Sequence, residues 1–351
     1  MAASCVPAAA LAGFVGSLFA RLGVPEEGAR ITAAALVAAD LEGVPSHGVM
    51  LVPMYVDRLV AGSVSKAGAA RVARDDGPAV VLDAGNALGQ ITSRQAVELL
   101  RARARDHGLA SVAVRNAFHF GAAGYWARML AADGLIGVAT CNTRPLMPAP
   151  GGAERVVGNN PLAIALPCAG GAPLVLDMAL SATAMGKIRL AEAAGAAIPE
   201  GWAVDGDGRP TTDPATAIKG MLLPAAGPKG FGLALVLDLL CGGLSGGAIG
   251  AEVKPLYGDP AVPYGCAHLF LALDPARFGV ADALPARVAG FAQSVRDSKP
   301  APGVERVYAP GDIEAARRAA NGGACPVAAD VHEKLVAVGR RFGVPTDSLT
   351  P

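Results

Sequence analysis

The sequence predicts an α/β protein on three observations: a helical N-terminal stretch, strands alternating with helices from Gly77-Pro78 onward, and two helical segments that close the chain. Such alternation argues for helices layered on a sheet. A length of 351 residues allows two or three packed units, since single cores rarely grow past roughly 250–300 residues. With 45 Gly, 27 Pro and 52% apolar residues, the chain reads as a loop-rich, well-buried enzyme more than a helical bundle.

The helical pattern runs from Ala8 to about Ala61. Leu11, Phe14, Val15, Leu18, Phe19 and Leu22 form one apolar face. Pro25-Glu26-Glu27 opens a second helix, because proline and acids favour a first turn. Gly43-Val44-Pro45 ends it, and Ser46 is expected to cap a third, with His47 in a first helical turn where free N–H groups gather. Beyond Gly77-Pro78 the pattern predicts strands at 79–83, 110–115 and 136–142 and helices at 91–107 and 121–132. Asp205-Gly206-Asp207-Gly208 reads as a hairpin turn; the further ligands of a calcium loop do not follow. A helix over 231–244, a strand over 267–273 and helices over 312–320 and 327–341 complete the chain. The N-terminal helices are expected to pack with the C-terminal ones, residues 1–76 with 305–351.

Composition excludes several function classes. Thirty basic and thirty acidic residues balance, leaving no electrostatic footprint for nucleic acid or an anionic membrane. The uncharged stretch 156–176, VVGNNPLAIALPCAGGAPLVL, is too broken by Asn, Pro and Gly to span a bilayer and parses as two short buried strands, 162–166 and 173–176. The N-terminus lacks a basic n-region, so no signal peptide is expected. Six scattered cysteines without CxxC or metal-ligand spacing predict no metal site, inert core thiols and a cytoplasmic location.

No GxGxxG fingerprint follows the first strands, so an ordinary Rossmann site is not expected. Two glycine-rich helix starts remain, His119-Phe120-Gly121-Ala122-Ala123-Gly124 and Pro228-Lys229-Gly230-Phe231-Gly232, either a structural turn or a phosphate cradle. His119 should project from the carboxyl end of its strand, where open α/β sheets hold ligands. For it the alternative is a backbone-bonded structural histidine; for His47 it is a solvent-facing one. His107, His268 and His332 read as structural.

These stretches resemble, along nearly the whole chain, the malate/L-lactate family of NAD(P)-dependent dehydrogenases that lack the Rossmann fold; ureidoglycolate dehydrogenase and cyclic imino-acid reductases are relatives. The motifs are Ser46-His47-Gly48, RNAFHFGAAGYW at 115–126, GNNPLAIALP at 158–167, LDMALSATAMGKI at 176–188, IPEGWAVDGDGRPTTDP at 198–214 and LLPAAGPKGFGLAL at 222–235. The resemblance implies a homodimer of that fold, with a substrate-site segment over 77–133 and a cofactor-binding domain over 134–304. It implies a hydride passed between NAD, or alternatively NADP, and a small 2-hydroxy acid. The alternatives are reduction of a cyclic 2-imino acid and a catalytically silent cofactor binder.

By the same resemblance, His119 is the proton acceptor beside the nicotinamide, and Ser46 and His47 lie beside the substrate. An imidazole titrating near neutrality suits that exchange. Cofactor positions are His119, Phe120, Gly121, Ala122 and Ala123, then Thr143, Asp177, Met178 and Ala179, then Lys229, Gly311, Asp312 and Ile313. Substrate positions are Leu51, Arg144, Asn159 and Lys187. Leu51 stands where relatives commonly carry a carboxylate-binding arginine, so either the substrate has an apolar or uncharged end there or the clamp comes from elsewhere. Arg144, after Thr143 in the loop CNTRPLMP, is the candidate replacement, and its alternative is a solvated loop arginine or a cofactor-phosphate contact. Lys187 occupies a position where imino-acid reductases carry an acid, which weighs against that alternative. Pro228 before Lys229 matches an NAD-using relative and offers no donor to a 2′-phosphate.

Overall fold

The computed structural model describes residues 4–349. Three helices open the chain: α1 (Ala8–Arg21), α2 (Glu26–Leu41) and α3 (Val52–Ala61). Leu11, Phe14, Val15, Leu18 and Phe19 of the expected apolar face are buried in α1, Leu22 is buried just past its end, and α2 starts directly after Pro25. One expectation fails between α2 and α3. Pro45–His47 and Val49–Leu51 form two short 3₁₀ turns, and Ser46 caps nothing. Its hydroxyl turns instead to His47, 3.0 Å from Nδ1.

A seven-stranded sheet forms the centre: β1 (Arg71–Asp76), β2 (Ala79–Asp83), β3 (Leu109–Ala117), β4 (Ile136–Cys141), β5 (Leu162–Leu166), β6 (Leu174–Met178) and β7 (Cys266–Leu273), in the spatial order β1-β2-β3-β7-β4-β5-β6. Between strands lie α4 (Gly89–His107) and α5 (Ala123–Ala132), both packed on the sheet. β2, β3 and β4 point the same way. Only β2 and β3 pair in parallel, because β7 inserts antiparallel between β3 and β4. The second apolar strand of 156–176 is not buried as expected: β6 is an edge strand and stays partly open.

After β6 come α6 (Met185–Ala193), α7 (Pro214–Lys219) and α8 (Pro228–Asp238), and after β7 come α9 (Ala283–Arg296), α10 (Asp312–Ala320) and α11 (Ala329–Phe342). The hairpin at Asp205–Gly208 joins two short antiparallel strands, as expected. One core joins the sheet to α1–α5 and to residues of the C-terminal segment, Cys325, Leu335 and Leu349 among them. Ser4–Pro7 pairs with Ala324–Val327, and buried Glu42 binds both Arg128 of α5 and Arg318 of α10, at 2.6 and 3.0 Å. Residues 1–3 and 350–351 of the expected terminal unit lie outside the described residues. A second, separate core gathers Met147, Val157, Leu180, Ile188, Ile198 and Leu237.

Candidate functional site

At one edge of the sheet β3, β4 and β6 end and β7 begins: Cys266 lies opposite Ala117, His268 opposite Cys141, and Leu162 pairs with both Thr140 and Met178. The segment after β3 therefore delivers His119 to the same edge as Thr143 and Asp177. The backbone at Phe118-His119 passes so close to Gly89 that a side chain there would strike the Phe118 carbonyl.

His47 arrives from the opposite side on the first 3₁₀ turn. The turn is held by a buried carboxyl: Asp40 Oδ2 accepts the Val49 N–H at 2.8 Å. Gly48 lies flat against that carboxyl, and any Cβ there would collide with it. Burial pushes the Asp40 carboxyl up to about 7, against the opposing pull of the Val49 bond. The outcome is a stacked imidazole pair, His47 over His119, with ring centroids 5.6 Å apart. Burial, followed by its histidine neighbours His47 and His268, holds His119 well below 6.5, and burial lowers His47. Both rings are therefore neutral at pH 7, and a proton on one disfavours a proton on the other.

Behind His119 stand two residues that the sequence reading missed. The Tyr55 hydroxyl lies 2.6 Å from His119 Nδ1 and 3.0 Å from Gln90 Nε2. Tyr55 belongs to the apolar stripe Val52, Tyr55, Val56, Leu59 of α3, so its spacing alone marks it as core.

The expected cofactor positions are drawn together along β6. Gly124 N–H donates to Asp177 Oδ2 at 2.8 Å, tying the start of α5 to the end of β6. Gly311 rests against Val175, and Asp312 is held by both arms of Arg296. Leu180 N–H donates to the Asn159 carbonyl and Ala225 N–H to the Leu180 carbonyl, which brings in the turn before Lys229. Thr143 bonds Asn159 and Asn160, and Asn160 is anchored to Asp238. Lys229 is exposed at the start of α8 and has no hydrogen-bond or ion-pair partner among the described residues. A cleft of about 310 Å³ borders Gly227, Pro228 and Asp207 beside it and touches neither histidine of the pair. The Phe120 ring is buried and stacks on His268 at 4.5 Å, which leaves its backbone to face a ligand.

Leu51 is 1% exposed and belongs to the main core. Arg144 is half-buried, and no carboxylate among the described residues pairs with it. Burial, then the like charges of Arg155 and Arg189, lower its pKa against the pull of Tyr264, so its positive charge is uncompensated. Lys187 is exposed on α6, without a partner among the described residues. Tyr264, also missed, is 4% exposed and packs edge-on against Phe118. The loop before it is gripped by Arg58, fully buried, whose guanidinium donates to the carbonyls of Pro255, Leu256 and Val262.

The profile of the malate/L-lactate dehydrogenase family matches residues 6–336. An L-sulfolactate dehydrogenase of Methanocaldococcus jannaschii is 39% identical over 84% of this chain and 84% of its own. A ureidoglycolate dehydrogenase (NAD(+)) of Escherichia coli O157:H7 is 34% identical over 90% of each chain. A (2R)-3-sulfolactate dehydrogenase (NADP(+)) of Chromohalobacter salexigens is 40% identical over 73% of this chain and 77% of its own. The solved structure of a sulfolactate dehydrogenase from M. jannaschii superposes with a TM-score of 0.92 at 34% identity, covering 97% of this chain and 98% of that one. Sequence motifs, fold and relatives agree: the chain belongs to the malate/L-lactate dehydrogenase family.

Proposed function

We propose that this protein is an NAD(P)-dependent oxidoreductase that interconverts a small 2-hydroxy acid and its 2-oxo acid. Family membership supports the reaction class, and the stacked, neutral His47–His119 pair carries the assignment of residues. When bound, the nicotinamide supplies the two-electron acceptor or donor for the hydride. His119 Nε2 takes the proton of the substrate hydroxyl in oxidation and returns it in reduction. His47, ordered by Ser46, lies at hand on the second side of the substrate. The exposed, unpaired Lys229 at a helix N-terminus suits a diphosphate, and Asp177, Thr143, the backbone of 119–123 and Gly311–Ile313 line the remaining path of the cofactor within 134–304.

Arg144 holds the substrate carboxylate in place of the absent arginine at position 51, with Asn159 and Lys187 as further substrate contacts. Half-buried and unpaired, it is the kind of guanidinium that an incoming anion neutralises. We assign a cytoplasmic location and a homodimer. All six cysteines are free, which suits a reducing compartment. Leu233, Val236, Leu240 and Leu244 expose an apolar stripe at helical spacing along α8 and its continuation, suited to a second copy.

Assay of reduced-cofactor consumption with pyruvate, oxaloacetate and a cyclic 2-imino acid tests the substrate class. The 2-oxo acids are expected to turn over and the imine to be inert; imine turnover exceeding theirs would reverse the assignment. His119→Ala should lower kcat by about 10²–10⁴-fold with cofactor binding retained. Arg144→Ala should raise substrate KM by about 10²-fold and leave the KM for cofactor unchanged.

A further inference from the structure

We propose that Gln90 and Tyr55 form a two-position hydrogen-bond switch that decides which nitrogen of His119 carries its proton; this rests on the reading of His119 as the acid–base group. Tyr55 and Gln90 are both 0% exposed, so no bulk water competes for their bonds. The phenol has one hydrogen and two lone pairs, and it sits between His119 Nδ1 at 2.6 Å and the Gln90 amide at 3.0 Å. Burial raises its ionisation far above that of a free phenol, so it stays neutral throughout.

A neutral phenol between these groups has two arrangements. In the first, Gln90 Nε2–H donates to Tyr55, whose O–H donates to His119 Nδ1. The imidazole then carries its proton on Nε2 and cannot act as a base there. In the second, the Gln90 amide is turned by half a rotation and its carbonyl accepts the Tyr55 O–H. The Gly121 N–H, which donates to Nδ1 at 3.4 Å in the first arrangement, gives up that weak bond, the phenol lone pair accepts Nδ1–H, and Nε2 presents a free lone pair to the substrate. The two amide orientations have the same shape, and each leaves one amide atom unsatisfied. In the orientation present, that atom is Gln90 Oε1, buried and without a partner. A fully committed amide would have no such orphan, since buried polar groups are ordinarily bonded.

The second arrangement is the working one. With a bound nicotinamide to accept the hydride, Nε2 would take the O–H proton of the alcohol and become the imidazolium, with Nδ1–H still donated to Tyr55. Reduction runs the same transfers backwards. A buried carboxylate in this role would hold the same tautomer but would also raise the imidazole pKa. Tyr55 orders the ring without adding charge, in keeping with the depressed His119. Tyr55 and Gln90 are positioning residues: they act through His119.

The test is ¹⁵N NMR of the histidine-labelled enzyme without substrate, with the His119 signals assigned by their loss in His119→Ala. The wild type is expected to show both neutral tautomers in exchange. Tyr55→Phe should leave a single population protonated on Nε2, lowering kcat by about 10²-fold, less than the roughly 10⁴-fold seen where a buried carboxylate sets the tautomer. Substrate KM and cofactor Kd should stay within about threefold (~0.65 kcal/mol). Gln90→Glu, acceptor-only once ionised, should drive His119 to the Nδ1–H form at high pH and move the kcat–pH profile to higher pH. If the His119 signals in Tyr55→Phe match the wild type, the switch is overturned even where kcat falls, because packing alone would explain the loss. If His119→Ala stays active, the acid–base reading fails instead, and the tautomer readout remains valid on its own.

Discussion

Asp40→Asn isolates the carboxyl beneath the His47 turn. The asparagine keeps an oxygen for the Val49 N–H bond and removes the ionisation. In the folded chain the carboxyl titrates at about 7 against an ordinary value of 3.8. Between those values the native state keeps a proton that the unfolded state has lost, so wild-type stability declines as pH rises from about 4 to about 7. The shift of about three units, at about 1.36 kcal/mol per unit, sets a ceiling of about 4 kcal/mol. The variant should match the wild type near pH 4 and exceed it progressively, reaching a plateau above pH 7.5. With an unfolding entropy of about 2.1 cal/mol/K per residue, that plateau corresponds to about 5 °C in Tm. Calorimetric scans of both proteins at pH 4.5, 6 and 8.5 provide the comparison. A difference independent of pH, or a wild type that is more stable at pH 8.5, would show that Asp40 is ionised in the fold and that burial does not dominate there.

Other expectations concern the loop, the cofactor and the assembly. Arg58→Met strands the Pro255, Leu256 and Val262 carbonyls and should cost about 3–5 kcal/mol of stability; limited proteolysis should then cut within 255–262, and an uncut loop would count against the clamp. NAD should exceed NADP in kcat/KM by at least about tenfold, or about 1.4 kcal/mol, because Pro228 offers a 2′-phosphate no donor; steady-state rates with each cofactor decide it. Val236→Asp on the exposed stripe of α8 should convert a dimer into a monomer by sedimentation, and an unchanged mass would move the interface elsewhere.

Where local pattern and local structure coincide, the sequence was legible. The strand expected at 79–83 and the helix at 312–320 have the observed bounds, because alternation and amphipathic spacing act over a few neighbours. β1 escaped notice: RVARDD is exposed at every position, so no buried face imposes a period. α9 was hidden by the proline and glycine within ALPARVAGFAQSVR. At the site, the chemical rarity of histidine marked His47 and His119, whereas Tyr55 and Gln90 look like any core-facing helix residues until the two helices meet. Ser46 misled for a local reason. Cap propensity describes a hydroxyl free to reach backward-facing N–H groups, and here the neighbouring imidazole takes it.

The insertion of β7 between β3 and β4 governs the order in which this molecule can be made. Asn142 waits for a partner 125 positions later, and Cys266 reaches back 149 positions to Ala117. Until that strand leaves the ribosome, β3 and β4 present open edges that are ready to pair with other chains. Closing so long a loop is slow, and no early fragment holds the completed edge on which His119 and Thr143 stand. Nascent chains stalled before Cys266 should thus be the aggregation-prone species, and catalytic competence should emerge in one late step during synthesis.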